Sequence, residues 1–506
     1  MTQAMSICRA DRTPVIVGVG EALDRPASAL EGRSPSELMT QALRCADADG
    51  QGGWLDQIDS LDVIHSVSWP LADPLEALVS RLGISPRRKN YGPIGGETPI
   101  RFLHEAACKI ASGESEVAAL CGGESEHTVR LAQRELAMLP WGERAPHWQK
   151  PRDRSYLHPL ARAHGLHQPV FVYPLYETAC QAAWGQTPAQ GRAESARLWA
   201  ELSAIAADNP YAFIRQPHAT HEIEQAGSSN RPIAWPYPKL MVANPLVNQG
   251  AAVIVTSLER ARAAGIADHR LVYIGTGWGA HEPRDWVARE NYHSSLAQDA
   301  VLRGVLTQSS LAAHEIDFFE LYSCFPCVPK MARRTLGMSN DQAISVTGGL
   351  TFFGAPLNNY MTHAIAAMVG RLRQSPRACG LVYGQGEFVT KHHALMLMGG
   401  ERRGHGGMPL GEPDATQPHV SQVPRIVTEA TGKICIETST VLFDRNGMPT
   451  HGVVVGLTDE HARTLARVPA GDHCSMQALM QLDRSPVGRQ AALRTADDGL
   501  LECALT

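Results

Sequence analysis

No part of this 506-residue chain holds the roughly 18 consecutive apolar residues that a membrane-spanning helix needs, so no membrane span is expected. Positive charge is not in surplus either: the formal net charge is -5, which gives no electrostatic footing for nucleic acid or an anionic membrane. Disulfide patterning is missing. The eleven cysteines are odd in number and scattered, which points to free thiols in a reducing cytoplasm. Cys324 and Cys327 form a C-x-x-C, but no second pair or histidine set at ligand spacing follows. His147, His158, His164 and His167 also lack tight metal spacing, so no metal is expected. Residues 1–13 have no apolar signal core and read as an unprocessed end.

What is present is a chain 44% hydrophobic and 19% charged, long enough for two or three domains. Residues 14–20 form an apolar run ending in glycines, read as a buried strand. Ser34-Pro35 then opens a helix, with Leu38, Ala42 and Cys45 on one face. Residues 61–67 read as a second strand. Gly92-Pro93-Ile94-Gly95-Gly96-Glu97 is a glycine loop, and Ile100, Leu103, Ala107 and Ile110 mark the helix after it. A strand at 116–121 runs into Gly122-Gly123-Glu124. Residues 126–231, rich in proline, histidine and tryptophan (Trp141, Trp148), break this rhythm and read as a mostly helical insert. The core returns with a strand at 251–256, a helix at 258–264 and a strand at 271–275.

The second half repeats the first. A helix at 295–306 leads to a strand at 318–322. Gly348-Gly349-Leu350 opens a loop that runs through Gly354-Ala355-Pro356, and a helix follows with Met361, Ile365, Met368 and Leu372 on one face. The strand at 380–383 runs into Gly384-Gln385-Gly386-Glu387. Two such modules imply two similar α/β halves about a pseudo-twofold axis. The last hundred residues differ: β-branched alternation at 433–443, a hairpin turn at Asp444-Arg445-Asn446-Gly447 and a return strand at 453–457 read as a small all-β, OB-like barrel. Residues 401–506 carry 10 Lys and Arg against 13 Asp and Glu, which argues against nucleic acid as the barrel's ligand. The expected boundaries are 13–267 for the first half, with the insert at 126–231, then 268–400 for the second half. A linker spans 401–420 and the barrel 421–506.

A helix that opens after a glycine turn presents unpaired N–H groups and a positive dipole end. Two such ends facing each other would frame an oxyanion-binding site, with Gly95, Gly96, Gly348, Gly349 and Gly386 lining it. Tyr322, at the end of its strand with Ser323 and Cys324, would project between them. The same polar cluster also suits a buried strand end whose hydroxyls are merely hydrogen-bonded. His363, on the helix after the second glycine loop, is a candidate for the same cleft, or a satisfied helix histidine. Lys391 and His392 follow the last glycine loop and are candidates for a phosphate or adenine contact, or a solvated turn. Glu97 and Glu124 each follow a Gly-Gly and read as caps for helix N–H groups.

These residues resemble the thiolase superfamily, in particular the sterol-carrier-protein-type thiolases and their thiolase-like relatives. Ile94-Gly95-Gly96 is similar to the family's nucleophile loop, and Leu120-Cys121-Gly122-Gly123-Glu124-Ser125 to the strand and turn after it. Asn248-Gln249-Gly250-Ala251-Ala252 is similar to its Asn-x-Gly-Ala-Ala segment, and Tyr322-Ser323-Cys324-Phe325 falls where such enzymes carry His-Asp-Cys-Phe. Gly348-Gly349-Leu350 through Gly354-Ala355-Pro356-Leu357 matches the Gly-Gly loop ending in Gly-His-Pro. Ile436-Glu437-Thr438, Asp444-Arg445-Asn446-Gly447 and Ser485-Pro486-Val487-Gly488-Arg489 resemble a β-barrel appended to one type of thiolase-like protein. The resemblance implies a duplicated five-layered αβαβα fold with the insert and barrel added. A coenzyme A thioester would be substrate or ligand. The assembly would be dimeric, or monomeric if the barrel blocks the dimer face.

The departures decide the chemistry. By that resemblance the acyl-accepting cysteine falls at or beside Gly95, its histidines on Tyr322 and Ala355, and the second cysteine near Tyr383 or Gly384. Thiolase chemistry needs a thiolate, a histidine to lower its pKa and a second cysteine. Three readings follow. Tyr322, its phenolate favoured by a helix N-terminus, is the acid/base of a retro-aldol cleavage of a β-hydroxyacyl-CoA, as the resemblance to tyrosine-using steroid side-chain aldolases implies. The protein is a non-catalytic acyl-CoA or lipid binder with Tyr322 as a wall. Or a displaced cysteine, Cys121 or Cys324, restores acetyl-CoA acetyltransferase chemistry.

Overall fold

The structure, a computed structural model, describes residues 12–145, 155–402, 409–413, 417–418 and 422–505. His147, Trp148, most of the N-terminal end and parts of the linker lie outside these.

The first half runs β1 (Pro14–Leu23), α1 (Pro35–Asp49), β2 (Ser60–Val63), α2 (Pro74–Leu82), β3 (Arg88–Tyr91), α3 (Thr98–Ser112) and β4 (Val117–Ser125). The insert supplies α4 (Glu126–Glu135), α5 (Pro159–Ala163), α6 (Pro169–Ala183), α7 (Pro188–Asp208) and α8 (Thr220–Glu224). Two short strands follow, β5 (Pro232–Ala234) and β6 (Tyr237–Pro238), before β7 (Asn248–Ser257) and α9 (Leu258–Ala263) complete the half. The second half is β8 (Val272–His281), α10 (Leu296–Ser309), β9 (Phe318–Leu321), α11 (Cys327–Leu336), α12 (Tyr360–Gln374), β10 (Cys379–Gly386) and β11 (Lys391–Gly399). The C-terminal region is β12 (Lys433–Phe443), β13 (Pro449–Thr458), β14 (Arg463–Pro469), α13 (His473–Leu479), β15 (Gln490–Thr495) and β16 (Leu501–Leu505).

Local chemistry explains the starts and stops. Ser34 and Glu37 close a capping box on α1, and Gly113 ends α3 in the left-handed region, each satisfying backbone groups that a helix end leaves open. The strands of the two halves join in one nine-stranded order, β3-β2-β4-β7-β1-β8-β11-β10-β9. The seam is β1 against β8, with Val15 opposite Tyr273 and Ile16 opposite Val272. Around that seam the halves correspond: β2 is parallel to β4 as β9 is to β10, and β7 and β11 run antiparallel beside them. Helices α3 and α12 pack against each other and against strands of both halves, while α1 and α10 cover the outer faces. That is the five-layered arrangement expected, with the two post-glycine helices as its middle layer.

The barrel closes through β12-β13-β14-β16-β15 and back to β12, five strands with α13 beside them. Strands β5 and β6 extend its sheet from the end of the insert, through Leu442 opposite Ala234. One sequence expectation changes: the second strand is only Ser60–Val63. Past the helical insert, β5 and β6 tie its exit to the barrel. The second glycine loop includes one π-helical turn over Gly349–Phe353, and α12 follows the loop from Tyr360.

The insert is locked to the core by a buried ion pair. Lys330 of α11 meets Glu177 of α6, both side chains fully buried. Lys330 also donates to Ser195 Oγ at 3.0 Å, and Glu177 accepts from Tyr237 Oη and Gln181 Nε2, each at 2.7 Å. Removing one partner strands the other charge away from water, which costs about 3–5 kcal/mol. Glu177→Gln is therefore expected to lower the chemical-denaturation midpoint by an amount of that order. A Glu177→Leu, Lys330→Met double variant, which removes both charges, should lose less than Glu177→Gln alone.

Candidate functional site

Tyr322 follows directly on β9, its N–H donating to Tyr383 O at 3.1 Å. It is 6% exposed. Its ring is positioned from behind. Glu320, one turn of the strand pleat earlier, accepts from Ser345 Oγ at 2.8 Å, Val346 N at 2.9 Å and Tyr360 Oη at 2.7 Å. Tyr360 then meets the Tyr322 ring edge-on, centroids 5.8 Å apart at 88°, a favoured aromatic geometry. The Tyr322 hydroxyl lies over the first glycine loop: a Cβ on residue 96 would sit 2.3 Å from Tyr322 Oη and 2.4 Å from Gln385 O. Only glycine lets those groups approach.

The neighbouring residue was misread from sequence. Glu97 stands at the N-cap of α3 but makes no side-chain cap bond. Its carboxyl turns back over the loop: a Cβ on residue 95 would lie 2.4 and 2.5 Å from its two oxygens, and a Cβ on residue 386 would lie 2.1 Å from Oε2. Glu97 is 8% exposed, and Oε2 has no hydrogen-bond partner among the described residues. Burial pushes its pKa above the usual carboxylate range, opposed by the positive charge of Lys391 and then Arg101. The signal available in the sequence was Gly-Gly-Glu beside a position with no side chain. Glu124 does not cap a helix either; it accepts from Val67 N at 2.7 Å and Ser68 N at 2.8 Å, fixing the loop after β2.

A second ring of groups closes the site. Gln385 Nε2 donates to Tyr173 Oη at 2.7 Å and to Cys324 Sγ at 3.2 Å, and Tyr173 stacks on Phe325 at 4.4 Å. The loop after β10 carries two non-glycine residues in the left-handed region, Glu387 (φ 59) and Val389 (φ 61). Such conformations persist only where surrounding contacts over-determine them. Here Tyr173 Oη donates to Glu387 O at 2.8 Å, Tyr176 Oη to Phe388 O at 2.7 Å, and Arg289 to Val389 O at 2.8 Å. Arg463 of the barrel, whose side chain is fully buried, donates in turn to the carbonyls of Val287 (2.8 Å) and Arg289 and pairs with Glu437.

The other sequence candidates separate. The paired oxyanion poles are not free. Gly95 N–H donates to Asn358 Oδ1 at 3.1 Å, Gly348 N–H to Ser345 Oγ at 3.0 Å and Gly349 N–H to Thr347 Oγ1 at 3.2 Å. Gly348 and Gly349 both lie in the left-handed region (φ 104 and 75) and are closely covered: a Cβ on residue 348 would strike Ala206 of α7 at 2.5 Å, and one on residue 349 would strike Ser323 Oγ at 2.7 Å and Leu202 of α7 at 2.8 Å. Gly96 and Gly386 remain in the site, as the backbone under Tyr322 and Glu97. Cys324 is beside Tyr322, but burial pushes its thiol up to about 12, and burial likewise raises Cys121, so neither is a resting thiolate. His363 is turned to Glu21, Nδ1 to Oε1 at 2.7 Å, and packs on Phe353. His392 is buried against Tyr383 Oη at 2.8 Å, and burial lowers its pKa to about 3. It is not a solvated phosphate contact. Lys391 points the other way, as strand alternation requires; its Nζ donates to Ile94 O at 3.3 Å and pairs with Glu387 at 3.0 Å. Tyr322 is no phenolate: burial raises its pKa well above the ordinary value, and the nearby Cys324 and Glu97 add to this. Among the described residues no group of His, Cys, Asp and Glu forms a metal site.

The glycine geometry makes a prediction of sign. Gly96→Ala forces Tyr322 and Gln385 apart and is expected to lower stability by roughly 1–3 kcal/mol. Gly370→Ala, inside α12 with nothing within 4 Å of its added carbon, should raise it by roughly 0.5–1 kcal/mol. Paired denaturation curves read both.

The comparisons with known proteins agree with this architecture. Residues 417–498 match the family described as "Thiolase-like protein type 1 additional C-terminal domain". A comparison with curated protein sequences gave no match. Among solved structures, the chain is similar to a monomeric SCP2-thiolase-like protein type 1 from Mycobacterium smegmatis, at 26% identity and a TM-score of 0.79, covering 98% of this chain and 99% of that one. It is similar in fold to the Ltp2-ChsH2(DUF35) aldolase, at 18% identity and a TM-score of 0.59 over 78% of this chain and 99% of that one. The dimeric peroxisomal thiolase of Saccharomyces cerevisiae follows at 13% identity and a TM-score of 0.55, over 77% and 98%. The likeness spans both halves and the barrel in one chain: the fold is that of the SCP2-thiolase-like protein of type 1, and residues 417–498 match the additional C-terminal domain of such thiolase-like proteins.

Proposed function

We propose that this protein binds an acyl-CoA thioester beside the first glycine loop and Tyr322 and cleaves a carbon–carbon bond in it by a retro-aldol reaction on a β-hydroxyacyl-CoA. The observation that carries this reading is the site's centre: Gly95, at or beside the acyl-accepting position by the resemblance, has no side chain, and a buried tyrosine stands over Gly96. A covalent acyl group has no sulfur to attach to there, and retro-aldol cleavage needs none. The fold likeness to a protein named an aldolase supports the same reaction class. Tyr322 acts as donor rather than base. Its O–H polarises the thioester carbonyl and stabilises the enolate oxygen that develops as the Cα–Cβ bond breaks, in a site from which burial excludes most water. The strained loop holds Gln385, and so Tyr173 and Cys324, in fixed register around that donor.

A second reading, a binding protein without turnover, is favoured by the low exposure of Tyr322 and the cover that α7 places over the second glycine loop. We also propose that the chain is monomeric, as the similar Mycobacterium smegmatis protein is described.

Mass spectrometry of acyl-CoA thioesters that co-purify would identify the ligand. On that ligand, Tyr322→Phe is expected to lower turnover by about 10²-fold or more and leave affinity within about threefold. No turnover in the wild type would favour the binder, and unchanged turnover in Tyr322→Phe would remove Tyr322 from the reaction. Thiolysis of acetoacetyl-CoA is expected to be absent, and iodoacetamide at neutral pH should label Cys324 slowly, because its thiol is protonated there. Fast, activity-abolishing labelling of Cys324 would restore the acyl-cysteine reading.

A further inference from the structure

The retro-aldol reading needs a group to take the β-hydroxyl proton, and the candidates from sequence do not supply it. Tyr322 and Cys324 are held protonated by burial. His363 pairs with Glu21 through Nδ1 and packs on Phe353, its Nε2 without a partner among the described residues, but no contact ties it to Tyr322 or the first glycine loop; His392 pairs with Tyr383 and Ser295. Glu97 is the titratable side chain left at the centre.

Its placement is specific. The carboxyl fills the space that a side chain on residue 95 would occupy, within 2.4 to 2.7 Å of that residue's Cβ position. By the resemblance to thiolases, that is the space of the acyl-accepting cysteine. A second glycine, Gly386, leaves room for Oε2 from the opposite side. The Tyr322 hydroxyl sits over Gly96, the next residue of the same loop. A glutamate at the start of a helix ordinarily caps N–H groups or faces water. Glu97 does neither, and Oε2 is buried without a partner among the described residues. An unpaired buried oxygen lowers stability, and such sacrifices collect at functional sites.

We propose that Glu97 carries the proton in this site. Resting on the acyl-CoA lyase reading above, the step balances as follows. The Glu97 carboxylate removes the proton of the β-hydroxyl. The O–H electron pair forms the new carbonyl at Cβ as the Cα–Cβ bond breaks, and its electrons pass to the thioester enolate, whose oxygen accepts from Tyr322. After the aldehyde or ketone departs, protonated Glu97 returns its proton to Cα and leaves an acyl-CoA shortened by the lost carbonyl fragment. No oxidant, reductant or cofactor enters. The charges facing Glu97 suit both halves of the cycle. Burial and Glu387 favour its neutral form, while Lys391 and Arg101 favour the carboxylate. A carboxyl held between these opposing influences is suited both to accept a proton and to give it back.

The return step is observable without knowing the natural substrate. Propionyl-CoA, incubated with the full-length protein in D2O, should gain deuterium at Cα, read by mass spectrometry. Glu97→Gln is expected to slow this exchange by about 10²-fold or more while propionyl-CoA affinity stays within about threefold. Its thermal midpoint should be equal to or above that of the wild type, since an amide removes the buried charge. Glu97→Asp, which keeps a carboxyl one methylene short, should retain part of the exchange. The proposal is overturned if Glu97→Gln exchanges at the wild-type rate, if the wild type binds propionyl-CoA without exchanging it, or if exchange falls only in step with affinity or folding. Failure of the lyase reading looks different: propionyl-CoA then does not bind, or exchange depends on Glu97 while no β-hydroxyacyl-CoA is cleaved.

Discussion

The structure turns on a steric constraint: two consecutive residues without side chains, Gly95 and Gly96, with the chemistry of the other half of the molecule pressed onto them. Tyr322 Oη and Gln385 O come from the second half and lie where a residue-96 side chain would be. The Glu97 carboxyl lies where a residue-95 side chain would be. A thiolase-like scaffold normally directs one reactive side chain outward from such a loop. Here the loop is bare and the reactive groups converge on it from outside. The duplicated fold makes that possible, because the seam between β1 and β8 and the paired middle helices α3 and α12 bring the strand ends of both halves to one place.

Much of this was legible in the sequence, and the reason is periodicity. Glycine loops, the helices after them and the strands before them leave patterns that repeat between the halves, and the Tyr322 strand end was marked by its polar cluster. The failures share a cause as well. His363 pairs with Glu21, 342 positions away, and no local pattern carries a contact of that separation. Glu97 occupies a helix start, where a glutamate reads as a cap; its turn toward the cleft depends on Gly386, far along the chain. The glycines at 348 and 349 were read as anion poles but are left-handed and closely covered, and a glycine's sequence does not say which neighbour it makes room for. Lys391 and His392 were treated as one unit, although adjacent residues of a strand face opposite ways.

Burial dominates the electrostatics of the site. A helix N-terminus lowers the pKa of an acid placed in line with it, by an amount that fades within one turn. Full removal from water acts on the charged form more strongly. For Tyr322 and Cys324 the second effect wins, which keeps an expected base and an expected nucleophile protonated; Cys324 Sγ accepts from Gln385 Nε2. The carboxyl differs because cations are within reach of it: Lys391 and Arg101 offset part of the desolvation that acts on Glu97, whereas Tyr322 has only acidic groups beside it.

The added barrel belongs to the same argument. Val389 is β-branched and left-handed, a conformation worth about 1–3 kcal/mol of strain, and Glu387 beside it is left-handed too. The loop that contains them fixes Gln385 through Val389 N–H at 3.1 Å. Arg289, paired with Glu282 at 3.2 Å, holds Val389 O, and barrel residue Arg463 holds the carbonyls around Arg289. A continuous line of charge-assisted hydrogen bonds, the stronger class of such bonds, therefore runs from the barrel to the strained loop. From there it reaches the residues around Tyr322. Arg463 gives up all contact with water to make it, and a guanidinium is the side chain suited to this, since it stays charged and offers several donors in one plane. The barrel is thus an internal brace, and part of the loop's geometry is set by contacts that the barrel supplies.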